Sequence, residues 1–205
     1  MLVAIGAKGL AKQVYPHFNG CGFDVFFLDD TADAPKRLHE YQVIHDFKFV
    51  EKQIKNEVDV YFTICIGNPK WRKHFHEKMM NLGATPVTIY SPTSSISQKS
   101  EIGEGNLILD FALVESDVNM GEGNLINCYA GIFHDVVLGS YNEIMPGAKI
   151  LGGAKIGNSC RIGSNSTILP NVEICDDVVI GAGAVVNKNI TKPGTYVGVP
   201  AKLLR

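Results

Sequence analysis

The sequence predicts two units, a small α/β domain over residues 1–90 and a three-sided coil of short parallel β-strands over residues 91–205. Three observations lead there. GEGNLI occurs twice, eighteen residues apart, at Gly103–Ile108 and Gly121–Ile126. A large aliphatic residue, Met120 included, recurs at every sixth position from Ile96 to Val186, sixteen times in sixteen. Upstream of the repeat, short apolar runs alternate instead with helix-forming stretches, the pattern of a parallel sheet with crossover helices.

In the first unit, LVAIG reads as a strand, Ala7-Lys8-Gly9 as a turn, and LAKQVYPHF as helical. FDVFFLDD is a second strand ending in Asp29-Asp30, and VDVYFTICIGN a third ending in Gly67-Asn68. KWRKHFHEKMMNLG has helical composition, and TPVTIYSP carries the chain into the coil. Ligands of such sheets gather outside the carboxyl ends of the strands, so the loops carrying Lys8-Gly9, Asp29-Asp30 and Gly67-Asn68 are expected to converge. Gly6-x-x-Gly9 is either a plain strand-to-helix turn or a phosphate cradle, with Lys8 adding charge beside backbone amides at a helix start. Asp29-Asp30 is either a solvated turn or a pair of acceptors for a base or ribose.

In the second unit the six-residue period excludes a helix, whose apolar spacing is near 3.6. If about a third of residues were large aliphatics, sixteen matches would arise by chance about once in tens of millions of trials. Strand side chains alternate between faces, so each aliphatic and the residue two before it point inward together. That second position is small or slender throughout, and at the eighteen-residue spacing it holds Asn106, Asn124 and Asn142, an expected ladder of amides. Glycine follows the aliphatic at Gly103, Gly121, Gly139, Gly157, Gly163 and Gly181. Glycines and polar residues are expected at corners that need unusual backbone angles. Three hexads close one turn, and about five turns stack without insertion as a solenoid.

Composition narrows the partners. A formal net charge of −2 recruits neither nucleic acid nor an anionic membrane by electrostatics, and no apolar run approaches the roughly 18 residues of a membrane span. The opening MLVAIGAKGLAKQV has too short an apolar core for a secretory signal. Five cysteines without a CxxC suggest reduced cytoplasmic thiols, not a disulfide framework or a zinc cage.

His134 stands in IFHDVVLG, in a region with no other histidine; the next upstream is His76. It is third in its hexad and so falls at a corner, pointing out of the coil. It is either a surface histidine or a general base, since an imidazole titrating near neutrality can take up a proton and return it. Asp135 beside it could orient the ring or diverge from it.

The hexads, with the ending Gly198-Val199-Pro200-Ala201-Lys202, resemble the hexapeptide-repeat acyltransferases. Their coils are left-handed parallel β-helices, against the usual right-handed crossover. GAKGLAK, FLDD, IGN with Arg72, and SPTSSIS leading into hexads resemble the NeuD/PglD group of sugar acyltransferases over nearly the whole chain. The resemblance implies a Rossmann-like N-terminal domain that holds a nucleotide-sugar, followed by the left-handed β-helix. HDVVLGSYNEIMPGA looks like the group's segment in which the histidine is the base, which makes His134 the base, Asp135 its support and Asn127 a neighbour of the reacting centre. Lys8, Gly9, Leu10, Asp29, Asp30, Gly67 and Glu143 are then expected toward the nucleotide-sugar. Gly152, Ser164 and Ala182 are expected along coenzyme A, with Lys202 near its adenine end. The cofactor groove lies between subunits of a homotrimer, and flat-walled coils are surfaces that symmetry usually buries.

The chain departs from the group where Leu10 replaces a histidine of the turn, where Glu143 replaces a second histidine nine residues after the base, and where Lys8 replaces a small residue. The expected activity is acetyl-CoA-dependent N-acetylation of a nucleotide-linked amino-deoxy sugar of the 4-amino-4,6-dideoxy type, in bacterial glycan or O-antigen synthesis. It needs neither a metal nor a covalent intermediate, and Cys128 has no histidine partner within the repeat. The alternatives are O-acetylation of a sugar such as sialic acid and non-catalytic nucleotide-sugar binding. A zinc-dependent β-helix carbonic anhydrase would need three histidines where the repeat has one.

Overall fold

The protein is described from a computed structural model that covers residues 1–18, 20–56 and 59–204. Val58, where the predicted third strand begins, and Arg205, the last residue of the predicted coil unit, lie outside the described residues. The first unit is one sheet of six strands: β1 (Leu2–Ile5), β2 (Val25–Leu28), β3 (Arg37–Leu38), β4 (Tyr41–Ile44), β5 (Tyr61–Ile64) and β6 (Thr85–Pro86), in the order β3-β4-β2-β1-β5-β6. All pairings are parallel except the β3–β4 hairpin. β1 is central and buried at all four positions, which is why it reads as a continuous apolar run. Helices α1 (Ala11–Val14), α2 (Lys48–Lys55) and α3 (Pro69–Asn81) complete the unit. α3 begins as its sequence dictates: Asn68 Oδ1 accepts from Lys70 N at 3.0 Å and Pro69 takes the first turn, where its missing N–H costs nothing.

The hairpin and α2 are findings that the sequence reading did not contain. The hairpin turn is His39-Glu40, without the Asn-Gly or Gly signal of tight hairpins; His39 itself adopts φ 52°.

The second unit is a three-sided parallel β-helix. One face stacks Ile89–Tyr90, Leu107–Ile108, Leu125–Ile126, Glu143–Ile144, Arg161–Ile162 and Val178–Ile180. The second runs from Ser95–Ile96 to Val185–Val186, and the third from Glu101–Ile102 to Glu173–Ile174. Between Ile89 and Val186 the register advances by eighteen residues per turn without insertion. The predicted inward aliphatics from Ile108 to Val186 are buried, as are the small residues two before them. Ile96 and Ile102 are only half-buried, because the first turn forms the open end of the stack.

Corner geometry differs from the expectation in one respect. Positive φ falls three residues after each aliphatic, at every sixth position from Gly105 to Gly183, and Phe111, Tyr129, Asp135 and Tyr141 occupy it without being glycine. The glycines that directly follow the aliphatics serve close approach instead. A Cβ on Gly103 would stand 2.8 Å from the backbone carbon of Gly121 in the next turn.

The asparagine ladder forms as expected. Asn106 Oδ1 accepts from Asn124 N at 2.7 Å, Asn124 Oδ1 from Asn142 N at 2.8 Å, and Asn142 Oδ1 from Cys160 N at 2.7 Å. Asn124 also donates from Nδ2 to Gly121 O at 3.0 Å, and it is 0% exposed. Asn124→Ala would leave the Asn142 amide unpaired in the core, while the Gly121 carbonyl keeps its bond from Asn106 Nδ2 at 3.0 Å. At about 1–3 kcal/mol for a buried unsatisfied group, urea unfolding is expected to register a loss of that size.

The two units share a core. Leu107, Leu109 and Leu125 of the coil cluster with Leu2, Phe18 and Phe27 of the first unit.

Candidate active site

His134 and Asp135 form the corner between the second and third faces. Asp135 takes the left-handed conformation (φ 60°) that turns the chain, and this aims its carboxylate back at the preceding ring, with His134 Nδ1 and Asp135 Oδ2 2.8 Å apart. The corner is held in place from both sides. His134 N donates to Glu115 Oε2 at 3.0 Å, and His134 O accepts from Gly153 N at 3.0 Å. The ring itself is 61% exposed. Its hydrogen bond to Asp135 and the nearby acidic charges favour the imidazolium and hold its pKa above the usual histidine value. With Nδ1 engaged by the carboxylate, Nε2 has no hydrogen-bond partner among the described residues.

The next corner down supplies the space for that ring. Gly152 sits eighteen residues after His134, and a Cβ there would lie 2.5 Å from His134 Cε1 and 2.7 Å from Nε2. Gly152, read from the sequence as a coenzyme contact, is therefore part of the histidine's own seat. A groove of about 560 Å³ leads from His134 past Glu115 and Ser116 to Ser95 and Ser97.

A second cavity, of about 590 Å³, opens at the carboxyl ends of β1, β2 and β5 and gathers the predicted loops: Lys8, Gly9 and Leu10, Asp29 and Asp30, and Gly67 all line it. The two aspartates have different tasks. Asp29 is buried and built in, its Oδ2 accepting from Ala7 N at 3.0 Å and its Oδ1 from Thr31 N at 3.2 Å and Thr31 Oγ1 at 2.6 Å. Asp30 is exposed at the rim. Lys8 is half-exposed and pairs with Asp33 at 2.5 Å; that bond holds the Asp33 carboxyl below its ordinary pKa.

The sequence reading missed the opposite wall. Trp71, His74, Phe75 and Lys78 of α3 line this cavity with Phe47. Phe47 and Phe75 stack at 5.7 Å, Trp71 lies over Phe75 at 6.0 Å, and Lys78 Nζ sits 3.3 Å from the centre of the Phe47 ring. The signal was present, since positions 71, 74, 75 and 78 share one helix face.

Glu143 of the coil does not line this cavity but stands behind its Gly67 edge. Its carboxylate packs against Gly67, where any side chain would collide with it, and its Oε2 accepts from Arg161 Nε at 2.8 Å. The remaining expected residues are spread over the coil. Asn127 is at the preceding corner, where its Oδ1 accepts from Cys128 N at 2.8 Å; no hydrogen bond joins it to His134 among the described residues. Ser164 and Ala182 occupy successive turns of that same corner, one corner away from Gly152. Lys202 is on the terminal strand Lys202–Leu203, antiparallel to Gly194–Val197. One chain therefore carries the histidine corner and the Ser164–Ala182 corner on different edges of the coil. Among the described residues, no group of three His, Cys, Asp or Glu side chains is placed to hold a metal ion, and no helix is long and apolar enough to cross a membrane.

A three-sided coil of hexads behind a small α/β pocket is the architecture of the hexapeptide-repeat acyltransferases. Comparison with known proteins agrees: residues 135–169 and 153–188 match the bacterial transferase hexapeptide (six repeats) family, and residues 1–79 match the PglD N-terminal domain. A curated GDP-perosamine N-acetyltransferase from Escherichia coli O157:H7 is 30% identical over 151 residues, which span 70% of this chain and 66% of that protein, just under two thirds of its length. Among solved structures, a histidine-to-asparagine mutant of perosamine N-acetyltransferase from Caulobacter crescentus, in complex with CoA and GDP-perosamine, superposes with a TM-score of 0.93. It is 26% identical, over 100% of this chain and 96% of that one. The acetyltransferase domain of PglB from Neisseria gonorrhoeae FA1090 superposes with a TM-score of 0.92 at 29% identity, over 99% of this chain and 98% of that one. The chain thus joins a PglD N-terminal domain of Rossmann-like fold to the hexapeptide repeats of a left-handed parallel β-helix, the architecture of the NeuD/PglD-type sugar acyltransferases.

Proposed function

We propose that the protein transfers the acetyl group of acetyl-CoA to the amine of a nucleotide-linked amino-deoxy sugar, with His134 as general base. The observation that carries this reading is the His134–Asp135 pair seated over Gly152, an imidazole with one nitrogen held by a carboxylate and the other free. The relatives support the choice of substrates: the curated one is a GDP-perosamine N-acetyltransferase, and the Caulobacter structure is of a complex with CoA and GDP-perosamine.

The aromatic wall of Trp71 and Phe75 suits a nucleobase, the Lys8-Gly9 turn suits a diphosphate, and the cavity's Gly67 edge, against Glu143, leads the sugar toward the coil. The amine attacks the thioester carbon. His134 Nε2 accepts the amine proton as the C–N bond forms, the tetrahedral centre collapses with loss of the coenzyme thiolate, and the imidazolium returns the proton to that sulfur. Asp135 stabilises the transient imidazolium. Holding both reactants in one cleft supplies much of the rate. Because Gly152 and the Ser164–Ala182 corner lie on different edges of one coil, a groove lined by both needs two coils side by side, which is the reason to propose a homotrimer with active sites between subunits. Five free thiols fit a cytoplasmic enzyme.

The test is a panel of GDP-, UDP- and dTDP-linked 3-amino and 4-amino sugars incubated with acetyl-CoA, following thiol release and N-acetylated product. Transfer to a sugar hydroxyl only, or to nothing, would overturn the reading. The chain's one tryptophan offers a second check. Titration with the preferred nucleoside diphosphate is expected to quench Trp71 fluorescence, and an unchanged spectrum at saturation would place the nucleotide elsewhere.

The active base is the neutral ring, so kcat/KM is expected to rise with pH through the raised pKa of His134. In Asp135→Asn the carboxylate that favours the imidazolium is gone, and the inflection should move to lower pH, with a lower plateau above it. An inflection that stays in place would detach Asp135 from the base.

A further inference from the structure

Arg72 is the largest fully buried side chain among the described residues, 0% exposed, yet no carboxylate is hydrogen-bonded to it there. Its partners are four backbone carbonyls from two different units. Nη1 donates to Ile64 O at 2.9 Å and to Ile66 O at 2.8 Å, both at the carboxyl end of β5. Nε donates to Gly123 O at 2.8 Å and Nη2 to Asn124 O at 3.2 Å, both on a corner of the coil. Burial lowers its pKa to about 10, which still leaves it charged at neutral pH.

Burying a cation is costly unless its donors are fully paired. Here the pairing exists only while the end of β5 and the coil corner hold one relative placement. The planar guanidinium fixes the directions of its donors, which a lysine or glutamine in its place could not reproduce. Both β5 carbonyls lie just before Gly67, at the edge of the nucleotide cavity behind which Glu143 stands. We propose that Arg72 is a positioning residue: it rivets the Ile64–Gly67 edge of the nucleotide cavity to the coil and so sets where the sugar amine is delivered relative to the transfer site. This rests on the acetyl-transfer reading above.

A residue that only stabilised the fold would affect every substrate alike, whereas one that aligns the cavity on the coil matters only for an amine held by its nucleotide. With Arg72→Met, kcat for the nucleotide-linked amino sugar is expected to fall about 10- to 100-fold, the cost of a misplacement on the scale of 1 Å. Affinity for GDP or UDP, read from Trp71 fluorescence, should stay within about threefold, and the slow acetylation of the corresponding free amino sugar should not change. Arg72→Lys keeps the charge and loses the fork, and should show the same split with a smaller loss. A folded Arg72→Met with wild-type kcat would overturn the role, as would equal losses on free and nucleotide-linked amines. Failure of both variants to fold would overturn it too, making the arginine a condition of folding rather than of alignment. Inactivity of the wild-type protein toward every nucleotide-linked amine would instead sink the functional reading on which the role rests.

Discussion

His134→Ala is expected to slow acetyl transfer by roughly 10²- to 10⁴-fold, the usual worth of a positioned general base. The loss should be confined to turnover. The side chain is 61% exposed, and its ring supports no core contact; the corner is held through the backbone of His134, which alanine retains. Unfolding, subunit assembly and nucleotide affinity should all match the wild type. The deficit should shrink as pH rises, because deprotonation of the amine by solvent competes better in base. A loss below about threefold in a protein with intact assembly would remove His134 from the role.

Gly152→Ala is expected to cost about 10- to 100-fold in kcat while leaving the fold unchanged. The added methyl would stand 2.5 Å from one ring atom of His134 and 2.7 Å from another. An exposed side chain can swing away from such a clash, so stability is little affected. The swing breaks the 2.8 Å bond to Asp135 and moves Nε2 by an ångström or more, a displacement that can cost on the order of 10²-fold. The substitution separates two roles for this glycine. If Gly152 seats the base, kcat falls and the pH inflection drops toward that of an unassisted imidazole. If it serves chiefly to let coenzyme A approach, KM for acetyl-CoA rises while the inflection stays put.

The coil was legible because the same two positions of every hexad face its core. A short parallel strand admits only an aliphatic at the inward position from Ile108 to Val186, and only a small or slender residue two before it. The amide ladder at Asn106, Asn124 and Asn142 was visible for the same reason, since stacking at eighteen residues makes like residues neighbours. The corner rule was harder to see. Its signature is a conformation, and Phe111, Tyr129 and Asp135 adopt it as readily here as Gly147 does. The N-terminal loops were placed by strand ends alone, and Lys8, Asp30 and Gly67 do meet in one cavity. That reading could not separate Asp29, committed to Ala7 and Thr31, from the free Asp30, because adjacent acids look alike until the backbone amides around them are known. Trp71 and Phe75 do not stand out in the sequence, because helical composition shows that a helix exists and not which face it turns to the cavity. The seating of His134 on Gly152 follows from the eighteen-residue register but needs atomic positions to be noticed.

The most direct measurement is a structure of the assembled protein with coenzyme A and the amino sugar nucleotide bound together. His134 Nε2 is expected within hydrogen-bonding reach of the sugar nitrogen, with that nitrogen close to the coenzyme's sulfur. A ring turned to bulk water and distant from both reactants would contradict it.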